Sequence, residues 1–194
     1  MITKLLILFA LIAAGLLLLV AIQSSEFRIA RTARIPAPVA TVFARVNDLG
    51  QWAAWSPWAR LDPAMKVSYD GAPVGTGASY AWSGNHQVGE GRSTIIESRP
   101  NELIRLKLEF VRPFAGTNDT EFTFEPDGNA TVVTWSMSGK KNFVMKAVGL
   151  FMNCDKMCGG QFEQGFANLE AVLTSPKDET QTRQALPAVA SHQS

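Results

Sequence analysis

The sequence predicts an α+β fold: a curved antiparallel β-sheet wrapped around a long C-terminal helix, preceded by one transmembrane helix. Three observations predict it. A run of eighteen apolar or small residues without a charge opens at Leu5 and closes at Ile22. The middle of the chain is a succession of short segments that alternate apolar and polar residues and break at turn-forming ones. Towards the C-terminus, Cys154, Cys158, Phe162, Phe166, Leu169 and Leu173 recur every three or four residues, the stripe of an amphipathic helix.

The run LLILFALIAAGLLLLVAI admits three readings. At about 1.5 Å per residue it approaches the roughly 30 Å of a bilayer's hydrocarbon core. A cleaved secretory signal has a shorter apolar centre and a small-x-small cleavage site. Here Lys4 gives the basic start, but the apolar part is long and residues 20–25 offer poor cleavage registers. A buried core helix would carry a polar face, and this run has none. An uncleaved anchor is favoured, so the protein is expected at a cell membrane as a single-pass chain. Its sidedness stays open, because Lys4 precedes the run while Arg28, Arg31 and Arg34 follow it.

The organisation follows: an anchor over residues 1–25, one domain over 26–174 and a disordered tail over 175–194. The central part has the size of a single domain with one core. The tail, rich in Pro, Gln and Ser, lacks the apolar surface to order itself. Net charge is +1, and no basic cluster interleaved with aromatics occurs, which excludes nucleic acid as the main partner. Two cysteines and two histidines make no metal-ligand pattern, so neither metal nor cofactor is expected. Cys154 and Cys158, four apart on a helix, read best as small buried hydrophobes.

Residues 27–35 alternate as a strand, with Arg31 interrupting the apolar parity, until Pro36 and Pro38 end it. Val39, Val42, Phe43 and Val46 then show helical spacing. Trp52, Trp55 and Trp58 follow at intervals of three. From Lys66 the chain reads as strands over 66–69, 76–82, 91–98, 103–110, 117–125 and 131–137. Their breaks hold Asp70-Gly71, Ser83-Gly84-Asn85, Pro100-Asn101 and Pro126-Asp127-Gly128-Asn129. Half-polar strands with short turns indicate one meander, apolar on a single face. The last element is read as one long helix from about Phe143 to Leu173, with Gly159-Gly160 marking a bend or a close approach to the sheet.

That order resembles the helix-grip fold of the START-related superfamily (SRPBCC), and its wording is similar to the polyketide cyclase/dehydrase-like branch. The stretches that carry the resemblance are Ile35-Pro36-Ala37-Pro38-Val39, Trp52-Ala53-Ala54-Trp55-Ser56-Pro57-Trp58, and Gly75-Thr76-Gly77-Ala78-Ser79-Tyr80-Ala81-Trp82. Thr120-Glu121-Phe122-Thr123-Phe124, residues 131–135 and Asp155-Lys156-Met157 complete it. The resemblance implies a deep, mostly apolar cavity between sheet and helix that takes a lipid or another hydrophobic small molecule. It carries over no catalytic residue.

Candidate ligand-binding residues are Trp55 of the tryptophan stretch and the aromatics placed on inner faces: Tyr80, Trp82, Phe110, Phe122, Phe124, Trp135 and Phe151. They either line a cavity or fill the interior themselves. The tryptophan stretch is a plug on the sheet or a cap over the cavity. An enzyme, whether cyclase, dehydratase or hydrolase, would need an inward ionisable pair such as His86 with Glu97 or Asp119. A protein-interaction module would show a filled interior beside an exposed aromatic patch. Binding of a hydrophobic small molecule or lipid without covalent chemistry is the favoured reading.

Overall fold

The computed structural model describes residues 2–150 and 154–175, without the Cys154 side chain. A helix, α1 (Ile2–Ile22), leads into strand β1 (Glu26–Ile35). Helix α2 (Val39–Asn47), a 3₁₀ turn at Leu49–Gln51, α3 (Trp52–Trp55) and α4 (Trp58–Leu61) come next. Six strands follow: β2 (Lys66–Gly71), β3 (Ala78–Ser83), β4 (Glu90–Arg99), β5 (Leu103–Arg112), β6 (Gly116–Asp127) and β7 (Ala130–Lys140). Helices α5 (Phe143–Gly149) and α6 (Cys154–Leu173) close the described part.

The seven strands form one sheet in the order β1-β7-β6-β5-β4-β3-β2, antiparallel throughout. Only β1 departs from the meander, pairing with β7 from Glu26↔Lys140 to Ile35↔Thr131. The turn between β6 and β7 is tight because Gly128 takes φ +61°, a conformation that costs glycine little. A register shift in β4 between Ile95 and Glu97 bends the sheet.

Alternation sorts the two faces. Ile29, Ile35, Ile104, Leu106, Phe122, Phe124, Val133 and Trp135 are buried on the inner one. Leu169, Phe162 and Phe166 of α6 join them in a single core with Val42 and Val46 of α2. The outer face is polar and charged. Arg105 there donates to Glu121 at 2.8 Å and Glu97 at 2.9 Å, and its guanidinium pKa is raised, chiefly by the Glu121 hydrogen bond.

The expected single helix from Phe143 to Leu173 is two helices. Helix α5 ends at Gly149, where Leu150 turns and donates to the Ala147 carbonyl at 3.2 Å in the tighter three-residue pattern. A glycine is a weak place to continue a helix. Residues 151–153 and 176–194 lie outside the described residues, and with them Phe151 and nearly all of the expected tail.

Candidate functional site

The site begins with the tryptophan stretch. Asp48 accepts the Gly50 amide at 2.9 Å and so caps the turn that launches α3. Trp52 then donates its indole N–H to the Val46 carbonyl at 2.8 Å, which fixes its ring over the sheet. Trp55 is wholly buried, against Phe122 at 6.3 Å and Trp135 at 5.8 Å between centroids. Asn168 of α6 donates to the Trp55 carbonyl at 3.0 Å and locks α3 to α6. The stretch is therefore a plug, and two of its rings, Trp52 and Trp58, form one wall of a hollow.

Trp135 stands at the centre. Phe162 stacks on it at 4.2 Å and 8°, and Phe122 lies against it at 4.7 Å. Helix α6 comes this close because position 165 is glycine. A Cβ there would sit 2.8 Å from Trp135 Cζ3 and 3.3 Å from Pro57 Cδ. Among the described residues the buried indole N–H groups of Trp55 and Trp135 meet no hydrogen-bond partner, so both rings contribute by packing.

Between this wall and the outer strands lies a partly open hollow of about 270 Å³. Tyr80, Trp82, Leu108, Phe110, Trp135 and Phe162 contribute to its apolar surface. Ser93 and Thr120, both buried, place hydroxyls on its wall, and Cys158 adds a thiol. Tyr80 stacks on Trp82 at 5.4 Å, and Trp82 is oriented by donating to the Val88 carbonyl at 3.0 Å. Burial, with Tyr69 adding to it, holds the Tyr80 phenol well above its ordinary pKa, so the group is a neutral hydrogen-bonding hydroxyl at physiological pH. Exposed His86, Gln87, Arg112 and Pro113 form the rim. Arg112 is held there by Glu90, at 2.8 Å from Nε.

Of the eight aromatics expected at the site, Tyr80, Trp82, Phe110 and Trp135 line this hollow. Trp55, Phe122 and Phe124 do not. They pack in the core behind it, Phe124 edge-on to Phe43 at 5.4 Å. Parity assigned the face of Phe122 and Phe124 correctly, but α2 packs on that part of the sheet and Trp55 of α3 lies against Phe122. Phe151 lies outside the described residues. Sequence reasoning passed over Ser93, Thr120, Met137 and Leu108, whose inward parity was readable but whose small or flexible side chains gave no signal.

The acid–base pair considered for an enzyme is not assembled. His86 is on the rim, while Glu97 is engaged by Arg105 and Arg99 on the outer face, and Asp119 also faces outward. No carboxylate lines the hollow among the described residues. Asp155 binds Arg31 of β1 at 3.0 Å. The same guanidinium reaches Glu163 at 2.8 Å by lying across Gly159, where a Cβ would collide with it. This tie raises the Arg31 pKa and lowers that of Asp155, in each case mainly through their shared hydrogen bond.

An antiparallel sheet gripping a C-terminal helix around an internal hollow defines a START-like helix-grip domain. The chain belongs to the family of polyketide cyclase / dehydrase and lipid transport proteins, which it matches over residues 26–174. Similar solved structures include a Chromobacterium violaceum protein, 16% identical, covering 78% of this chain and 98% of its own, with a TM-score of 0.55. The Aha1 dimer from Colwellia psychrerythraea is similar at 15% identity, 76% and 96% coverage and a TM-score of 0.55. A Rhizobium loti protein is similar at 21% identity, 74% and 96% coverage and a TM-score of 0.53. At these identities the likeness is one of fold. No curated protein matches the sequence.

Proposed function

We propose that this protein is a membrane-anchored binder of a compact hydrophobic small molecule or lipid moiety, with α1 as the anchor and the hollow as the binding site. The observation that carries the reading is the hollow itself: an aromatic-walled space with a few inward hydroxyls. Small-ligand pockets have that composition, an apolar lining with sparse polar groups that fix orientation. Its volume of about 270 Å³ lies just below the roughly 300–1,000 Å³ of drug-sized sites. An engineered cavity of about 150 Å³ takes one benzene, so this one suits a small ring system or one end of a longer amphiphile. Ser93, Thr120 and Tyr80 are the groups placed to meet a polar atom on that guest.

Helix α1 supports the anchor. It has 21 residues and is almost entirely exposed along an apolar surface, which water would penalise and lipid would not. An enzyme in the same hollow lacks support from the geometry, because the sheet separates His86 from Glu97 and Asp119.

Native mass spectrometry of the full chain, extracted from its own host in mild detergent, tests the reading. The wild type is expected to carry an apolar mass. Ser93→Phe projects a ring into the hollow from between Tyr80 and Leu108, its ladder partners, and is expected to lose that mass while keeping its near-ultraviolet dichroism. Bare protein in both samples, together with no binding of added hydrophobic probes, would reject the proposal.

A further inference from the structure

The register of the sheet places several distant features at one end. Glu26 pairs with Lys140, Asn118 with Gly139, Phe110 with Gly116, Glu90 with Arg112, and Ser83 with Glu90. Helix α1 enters the sheet at this end and α5 leaves it there. The Lys141 amide donates to the Ser25 carbonyl at 2.6 Å, which joins the two connections. Helices α1 and α5 touch, and Val20 in the last turns of α1 is buried. Of the rim residues, His86 and Gln87 sit in the β3–β4 turn of the same end, while Arg112 ends β5 there and Pro113 opens the β5–β6 turn.

This end also carries apolar side chains that no other described residue covers. Phe143, Val144, Val148 and Leu150 on and beside α5 are exposed, as is Phe114 in the turn between β5 and β6. Lys140, Lys141 and Lys146 accompany them, and residues 139–150 contain no acid. Of the carboxylates around this end, Glu26 stands opposite Lys140 on the ladder, Glu90 is held by Arg112, and Asp155 is held by Arg31. Exposed Phe, Val and Leu with lysines and without acids is the composition of a segment that lies in an anionic lipid interface.

We propose that α5 and the β5–β6 turn form a foot that inserts into the headgroup layer of the bilayer crossed by α1, turning the mouth of the hollow towards the lipid. The occupant of this surface is an anionic phospholipid bilayer. Continuity with α1 and the lysine charge argue for it over a protein partner. The proposal rests on the anchor reading and deepens it: the foot fixes how the domain sits on its tether. It makes the guest a molecule already dissolved in the membrane.

Depth-dependent quenching on the full chain in nanodiscs tests this. In a Cys154→Ala/Cys158→Ala background, an environment-sensitive fluorophore is placed in turn at Leu11→Cys in α1, Val148→Cys in α5, and Asn129→Cys at the far end of the sheet. Nanodiscs of phosphatidylcholine and phosphatidylglycerol carry spin-labelled lipids with shallow or deep nitroxides. The Leu11 label should be quenched most by deep nitroxides, and the Val148 label by shallow ones, at least about twofold above the Asn129 label. A quenched Leu11 label with Val148 no different from Asn129 would overturn the foot and leave the anchor standing. An unquenched Leu11 label would overturn the anchor and the foot with it. Replacing phosphatidylglycerol by phosphatidylcholine should reduce the Val148 signal, and an unchanged signal would overturn the assignment to an anionic surface.

Discussion

Helix α6 contains glycines whose surroundings differ enough to predict opposite outcomes from the same substitution. At Gly160 a Cβ would meet nothing within 4 Å, and the position is exposed. Gly160→Ala therefore gains only the helix-propensity difference, about 0.8–1 kcal/mol. At Gly165 the same methyl would lie 2.8 Å from Trp135 Cζ3. The ring cannot retreat, because Phe162 stacks on one side at 4.2 Å and Phe122 packs at 4.7 Å. Overpacking of this kind costs about 1–3 kcal/mol. Propensity cancels between the two variants, so Gly165→Ala should be less stable than Gly160→Ala by about 1–3 kcal/mol. For a domain of this size each kcal/mol moves Tm by about 2–4 °C, giving a gap of about 2–12 °C. Thermal unfolding of the full chain in detergent, followed by tryptophan fluorescence, measures it. Equal Tm values, or Gly165→Ala the more stable, would refute the account of how α6 seats on Trp135.

The Arg31 tie gives a pH prediction with a definite sign. Asp155 has a lowered folded pKa, so its contribution is complete above the unfolded value of about 3.9 and fades as pH falls through the folded one. Arg31, with a raised folded pKa, stays charged throughout that window, its contribution being lost only in strong alkali. Asp155→Asn should therefore lower Tm at neutral pH and lose its difference from wild type under strong acid, as read from Tm against pH. Trp52→Phe leaves the Val46 carbonyl without the indole donor that meets it at 2.8 Å, and should cost about 1–3 kcal/mol by denaturant unfolding. Gly159→Ala must displace the Arg31 guanidinium, so it should remove most of the effect of a further Asp155→Asn change in a double-mutant cycle.

Much of the fold was legible because strands of this kind print their faces in the sequence. Ile104, Leu106, Leu108 and Phe110 alternate with Arg105, Lys107 and Glu109, and the two sets fall on opposite sides of β5 as that pattern requires. Depth along a face was not legible. Phe122 and Trp135 are ladder partners on the same inner surface, yet only Trp135 reaches the hollow. What separates them is how α2, α3 and α6 cover a bent sheet, a property of tertiary packing that no local period encodes. Arg31 shows the same limit from the other side. It broke the apolar parity of β1 as an apparent irregularity, and its purpose depends on a glycine over a hundred positions away.

The hollow's size and its position on the sheet bear on each other. A space of about 270 Å³ cannot enclose a long-chain amphiphile, if a cavity of about 150 Å³ is filled by a single benzene. A guest of that class would leave part of its apolar length outside the mouth, where water would oppose it by about 0.8 kcal/mol per exposed CH₂. A mouth turned to the bilayer removes that penalty, because the protruding part stays in lipid. On this reasoning a chain-length series should show affinity from detergent solution falling once the guest outgrows the hollow, while affinity in nanodiscs stays level. Parallel curves in both media would mean that the mouth opens to water.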